Sequence, residues 1–184
     1  VKKVKKFELT NEFIANRFGT KLFRIRALVE FGDVEAGELG GYVEKESNLG
    51  HDDNAWVYGN ARVYGDALVY DNARVYGNAR VCGDAQVSGD ARVCGDARVC
   101  GNGDYAYAHG FGSVNRTTTF FRLKDGGVGV RCGCFYGTLA QFRDKIRETH
   151  GETKKAQEYL MLADLMELRF EEDENEVGNR KYVE

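Results

Sequence analysis

The sequence contains no proline, a single tryptophan, two methionines and three histidines among 184 residues. Without proline there is no polyproline or collagen-like element. The 23 glycines must therefore serve something else, and many tight turns of one kind are the natural use. No apolar run approaches the roughly 18 residues of a membrane span, and no signal-peptide pattern opens the chain. The net charge is only -3, from 26 Lys and Arg against 29 Asp and Glu. That argues against a generally basic coat for duplex nucleic acid. Apolar residues make up 42% of the chain, enough for a packed core and too many for a disordered polymer. The length suits one domain, or a small domain with appendages.

Cysteine is present but in no metal pattern. The five are Cys82, Cys94, Cys100, Cys132 and Cys134. Their number is odd, none has zinc-finger spacing, and no histidine stands near enough in sequence to complete a ligand set, so no metal is expected. Cys132 and Cys134 fall two apart in an expected strand, on one face, with Cα atoms about 7 Å apart, the limit for a disulfide. The expectation is buried thiols in a reducing cytoplasm.

An internal repeat dominates what is there. From Asn54 the chain reads NAWVYG, NARVYG, DALVYD, NARVYG, NARVCG, DAQVSG, DARVCG, DARVCG, ending at Gly101. Valine recurs every six residues from Val57 to Val99, with alanine two positions before it and Asn or Asp before that. Residues two apart in a strand share a face, so Ala and Val point one way. The residue between them and the residue after Val point the other way. The Gly-Asn or Gly-Asp pair supplies a corner, because these residues tolerate left-handed backbone. Three such units close a triangular coil, and the next coil stacks about 4.8 Å above it. Helical periodicity cannot accommodate this spacing with glycine in every turn.

These hexads resemble the hexapeptide-repeat family, whose fold is a left-handed parallel β-helix; the hand is implied by the resemblance. The stretches Arg24–Leu28, Phe31–Val34 and Leu39–Leu49 resemble leaders of phage and prophage proteins of this type. The expected fold is mainly β. An N-terminal β cap would span 1–39, the β-helix 40–112, and a C-terminal ββαα cap with a polar tail 113–184. The strands expected first are Phe7–Thr10 and Leu22–Leu28, sealing the lower edge, with an excursion at His51-Asp52-Asp53. A hairpin is expected from Thr117–Leu123 and Val128–Phe135. Thr138 and Gln141 form a capping box opening a helix to His150. A second helix is expected from Thr153 to Phe170, apolar at Tyr159, Leu162, Leu165, Met166 and Leu168.

Charge is polarised: residues 1–30 carry eight basic and three acidic groups, whereas 164–184 carry three and eight. Solvated termini are one reading; head-to-tail association, or a tail masking a basic surface, is the other.

Enzymes of the resembled family are mostly acyltransferases, in which a histidine deprotonates the acceptor and a CoA thioester lies between subunits. That alternative needs acetyl-CoA and a base, His51 or His109; His150 at a helix end carries no catalytic weight. The unbroken hexads leave no room for a catalytic loop, so no catalytic residue and no cofactor is assigned. The outward positions are more informative. With an 18-residue coil, Arg62, Arg80 and Arg98 form one ladder and Arg74 and Arg92 another above Trp56. The plain reading pairs them with the corner acids Asp66, Asp84, Asp90 and Asp96. The functional reading is a wall for an anionic partner, with Tyr64 or Tyr76 as apolar floor. Trp56, Tyr58 and Leu68 are expected on an oligomer interface, a trimer by resemblance. The resulting expectation is a non-enzymatic, cytoplasmic, phage-type binding protein. Its partner in a bacterial host would be a protein or a phosphorylated small ligand, in an inhibitory or counter-defence role. A purely structural, self-assembling protein is the third possibility.

Overall fold

The computed structural model describes residues 4–171. Chain order starts with a long hairpin, β1 (Phe7–Ala15) and β2 (Lys21–Ala27), followed by β3 (Leu39–Val43). Eight two-residue strands then follow at six-residue intervals: β4 (Trp56–Val57), β5 (Arg62–Val63), β6 (Leu68–Val69), β7 (Arg74–Val75), β8 (Arg80–Val81), β9 (Gln86–Val87), β10 (Arg92–Val93) and β11 (Arg98–Val99). After them come β12 (Tyr105–Phe111), β13 (Arg116–Arg122), β14 (Val128–Cys132), β15 (Phe135–Thr138), α1 (Leu139–His150) and α2 (Lys154–Phe170).

The short strands stack in parallel on three flanks: β3-β5-β8-β11, β4-β7-β10 and β6-β9. This is a parallel β-solenoid. Each rung bonds to the next through amides such as Arg62 N to Ala79 O at 2.9 Å and Leu68 N to Ala85 O at 3.0 Å. Pairing joins residues 18 apart, as in Val63 with Val81. All eight repeat valines are fully buried, so the interior is dry and a charge placed there would have no partner. Asp71 takes a corner that glycine holds elsewhere, at φ 60°; its Oδ2 accepts the Gly89 amide at 3.1 Å, which offsets the backbone cost.

At the lower end the first hairpin is longer than the expected strands, running from Phe7 to Ala15 and from Lys21 to Ala27. The β1-β2 hairpin adds antiparallel to β3 and extends the first flank. Phe7, Ile25 and Val34 pack beneath the prism core. Lys6 is buried and donates to Asp53 Oδ1 at 2.9 Å, Asp53 O at 3.1 Å and Ala55 O at 2.8 Å, with its ammonium over the Phe31 ring. This stitches the N-terminal segment to the excursion.

The upper end is a four-stranded antiparallel sheet, β12-β13-β14-β15. Adjacent residues of β13 face opposite ways. Phe121 plugs the solenoid core, while Phe120 joins Val130, Phe142 and Tyr159 under the helices. Main-chain bridging of Ala97 with Leu123 ties the sheet to the last coil. Thr138 caps α1 reciprocally with Gln141, and Thr153 caps α2.

Four expectations change. The C-terminal sheet has four strands rather than two, and it begins at Tyr105, where the loosened repeat reads as prism; Tyr105 pairs with Phe121. On α2, Tyr159 and Met166 are buried, but Leu165 and Leu168 face solvent. Cys82 and Cys100 form a disulfide with Cα atoms 4.3 Å apart, where thiols were expected: residues 18 apart occupy the same outward column on adjacent rungs. Cys132 is buried at the end of β14 and Cys134 is exposed in the turn after it, so the two do not share a face. The polar tail from residue 172 lies outside the described residues.

Candidate anion-binding surfaces

The flank built from β3, β5, β8 and β11 carries one outward column in strict register: Tyr42, Arg62, Arg80 and Arg98. Arg24 of β2 continues it downward, opposite Tyr42. Like charges about 4.8 Å apart repel, so what neutralises them matters. At the lower end, Arg24 Nη1 donates to the Tyr42 hydroxyl at 2.8 Å and pairs with Glu12 at 3.7 Å. The upper three differ. Among the described residues, Arg62, Arg80 and Arg98 have no carboxylate at ion-pair distance, whereas Arg24, Arg26, Arg74, Arg122, Arg143 and Arg147 each do.

Three of the four corner acids expected to offset the ladders have other partners, and none of the four is at ion-pair distance from Arg62, Arg80 or Arg98 among the described residues. Asp66 pairs with Lys45 at 2.9 Å. Asp90 accepts from Asn72 at 3.1 Å and Asp96 from Asn78 at 3.5 Å. Arg98 Nη1 satisfies itself on the carbonyls of Ala97, at 2.9 Å, and Asn78, at 3.3 Å. Burial, then the stacked Arg80, holds the Arg98 guanidinium below its usual pKa, with Asp96 and Tyr64 opposing. Arginine remains charged under such shifts. Tyr64, next along β5 from Val63, lies beside this column.

The second ladder stands elsewhere. Arg74 and Arg92 pair in register above Trp56 on the β4-β7-β10 flank. They line a cleft of about 520 Å³ between the solenoid and the C-terminal sheet. Arg116 at the start of β13 enters the same cleft, as do Thr117 and the corner column Asn54-Asn72-Asp90. Asn54 donates to Asn72 at 3.2 Å, and Asn72 to Asp90. Arg74 pairs with Asp33 at 2.8 Å; Arg92 and Arg116 have no ion pair among the described residues. Tyr76, on the same flank, lies under the Arg131 guanidinium, and burial pushes its hydroxyl up to about 12.

The interface expectation needs one correction. Trp56 is fully buried within the chain, edge-on to both Phe7 and Phe31. It presents nothing to a partner, because the N-terminal segment folds over that flank. Tyr58 is half-buried and donates to Asp33 at 3.2 Å; Leu68 is partly exposed on β6.

The histidines are separated from one another. His51 stacks flat on Phe7 at 4.4 Å, and its Nδ1 accepts the Lys6 amide at 3.4 Å. Burial lowers its pKa, so the ring acts as a neutral clamp on the N-terminal segment. His109 is exposed on β12 with Nδ1 2.9 Å from Thr117 Oγ1. His150 ends α1 against Tyr159.

The repeat has a recorded counterpart. Residues 55–71, 67–83, 73–89 and 85–101 match a family model described as YdcK Beta solenoid repeat. The repeat is a β-solenoid repeat. The match lies wholly within the coils, so it identifies the scaffold and says nothing about the caps or the cleft they form. No curated protein matches the chain.

Sequence reasoning singled out both arginine ladders but missed Arg116, Thr117 and the Asn54-Asn72 column. The 18-residue spacing of Asn54, Asn72 and Asp90 was available as a signal, as was that of Cys82 and Cys100. No periodicity pointed to Arg116, because it comes from the cap.

Proposed function

We infer that this is a non-enzymatic binding protein whose Arg62-Arg80-Arg98 flank engages an acidic surface on another protein, in the manner of a phage-type inhibitor of a bacterial host factor. One observation carries the reading. Three stacked guanidiniums have no carboxylate partner among the described residues, while the corner acids Asp66 and Asp96 are engaged by Lys45 and Asn78. Solubility alone does not favour a like-charged column held in register. Arginine is suited to forked recognition of carboxylates, and Tyr64 offers an apolar floor beside it.

The test replaces Arg62, Arg80 and Arg98 together by Gln. Wild-type protein should bind a decaglutamate peptide in a salt-sensitive manner and should retain an acidic protein from a bacterial lysate. The triple variant should lose both while its melting temperature stays unchanged, since none of the three is in the core. Binding that survives the triple change would refute the assignment.

A further inference from the structure

The cleft on the opposite flank has a different chemistry from the ladder. It is assembled from the solenoid rungs with their Asn-Asp corner column, the start of β13, Gly32 of the N-terminal segment and Gly133 between β14 and β15. Its size falls within the range of small-molecule sites, about 300–1,000 Å³. The Arg116 guanidinium lies against Gly133, whose left-handed backbone at φ 58° favours glycine there.

The lining decides the ligand class. Arg92 and Arg116 are without carboxylate partners among the described residues, and Arg74 is balanced by Asp33. Two uncompensated guanidiniums suit a doubly charged phosphoryl group. The remaining polar groups are hydroxyl-recognising. Asn54 and Asn72 retain amide donors and acceptors beyond the bonds they exchange. Asp90 uses Oδ1 on Asn72, which leaves its other oxygen to accept. The Thr117 hydroxyl stands at the rim, where it bonds His109 Nδ1 at 2.9 Å and keeps further lone-pair capacity for a ligand hydroxyl. Equally informative is what is missing: among the described residues, no aromatic or large aliphatic side chain lines the cleft. A nucleobase would have no surface on which to stack or be buried.

We propose that this cleft binds a phosphorylated polyol, a sugar phosphate, with Arg92 and Arg116 holding the phosphoryl group and Asn72, Asp90 and Thr117 reading the hydroxyls. The site is independent of the protein-binding flank and of the function proposed for it.

Calorimetric titration of the full chain tests it with four probes: glucose 6-phosphate, glucose, inorganic phosphate and AMP. Glucose 6-phosphate should bind saturably and more tightly than the other three. Changing Arg92 and Arg116 to Gln should weaken it by about 100-fold, from roughly tenfold or more for each charged hydrogen bond lost. Asp90→Asn keeps an acceptor for Asn72 and removes the negative charge. It should weaken glucose 6-phosphate yet strengthen inorganic phosphate, a reversal that general misfolding cannot produce. The Arg62, Arg80 and Arg98 triple variant should bind glucose 6-phosphate normally. Tighter binding of AMP than of glucose 6-phosphate, an unaffected Arg92/Arg116 variant, or no saturable binding of glucose 6-phosphate would overturn the proposal.

Discussion

Replacing Gly83 by alanine should destabilise the protein far more than replacing Gly59, although both glycines turn corners of the same repeat. Both residues lie in the left-handed region, at φ 62° and φ 59°. An added β-carbon there costs about 1–2 kcal/mol, offset by about 0.4–1 kcal/mol from the stiffer unfolded chain. Gly59→Ala meets nothing within 4 Å, so its net cost should stop at about 1 kcal/mol. At Gly83 the β-carbon would run into the Cys100 carbonyl oxygen. That oxygen belongs to a rung held by the Cys82–Cys100 disulfide and by the Cys82 amide on Val99 O at 2.8 Å, so it cannot withdraw cheaply. Forced overpacking adds about 1–3 kcal/mol, for a total of about 2–4 kcal/mol. Urea unfolding followed by circular dichroism, with both variants kept oxidised, reads the difference as a shift in midpoint at constant slope. Equal losses at the two sites, or a larger loss at Gly59, would refute the stacking geometry from which these magnitudes come.

Three further outcomes follow from the ends of the solenoid and its cysteines. Lys6→Met should cost about 3–5 kcal/mol by stranding the acceptors at Asp53 and Ala55. The sole tryptophan, Trp56, packed under Phe7 and Phe31, should report the loss as early fluorescence change in urea. His51 has a depressed pKa in the fold, so below its ordinary 6.5 the unfolded chain binds the extra proton first. Stability should therefore fall as pH drops from 6.5 toward the folded value, and His51→Phe, which keeps the stack on Phe7, should flatten that slope in melts between about pH 7 and 5.5. Iodoacetamide should label Cys134 alone in the native protein, Cys94 and Cys132 only after unfolding, and Cys82 and Cys100 only after reduction; mass spectrometry would show a contrary order directly.

What was legible in the sequence follows the reach of its periodicities. Val57 to Val99 at six-residue spacing specified the buried column, because strand alternation and corner glycines leave one consistent way to bury valine. The same arithmetic placed Arg62, Arg80 and Arg98 in one outward column, and Thr138 with Gln141 marked the start of α1 because a capping box is a local signal. Where contacts join distant segments, the sequence was silent or misleading. Trp56 reads as an exposed rung residue, and only the return of Phe7 and Phe31 over that flank buries it. His51 beside two aspartates reads as an orientable base, yet it serves as a clamp because the N-terminal strand lies on its ring. The disulfide and the Asn54-Asn72-Asp90 column were within reach of the 18-residue period. The cleft was not: Arg116 meets Arg74 and Arg92 only because β13 docks across the last coil. A repeat sets its own spacing through nearest-neighbour bonds along the chain. Which cap covers which flank depends on tertiary packing between segments that share no period.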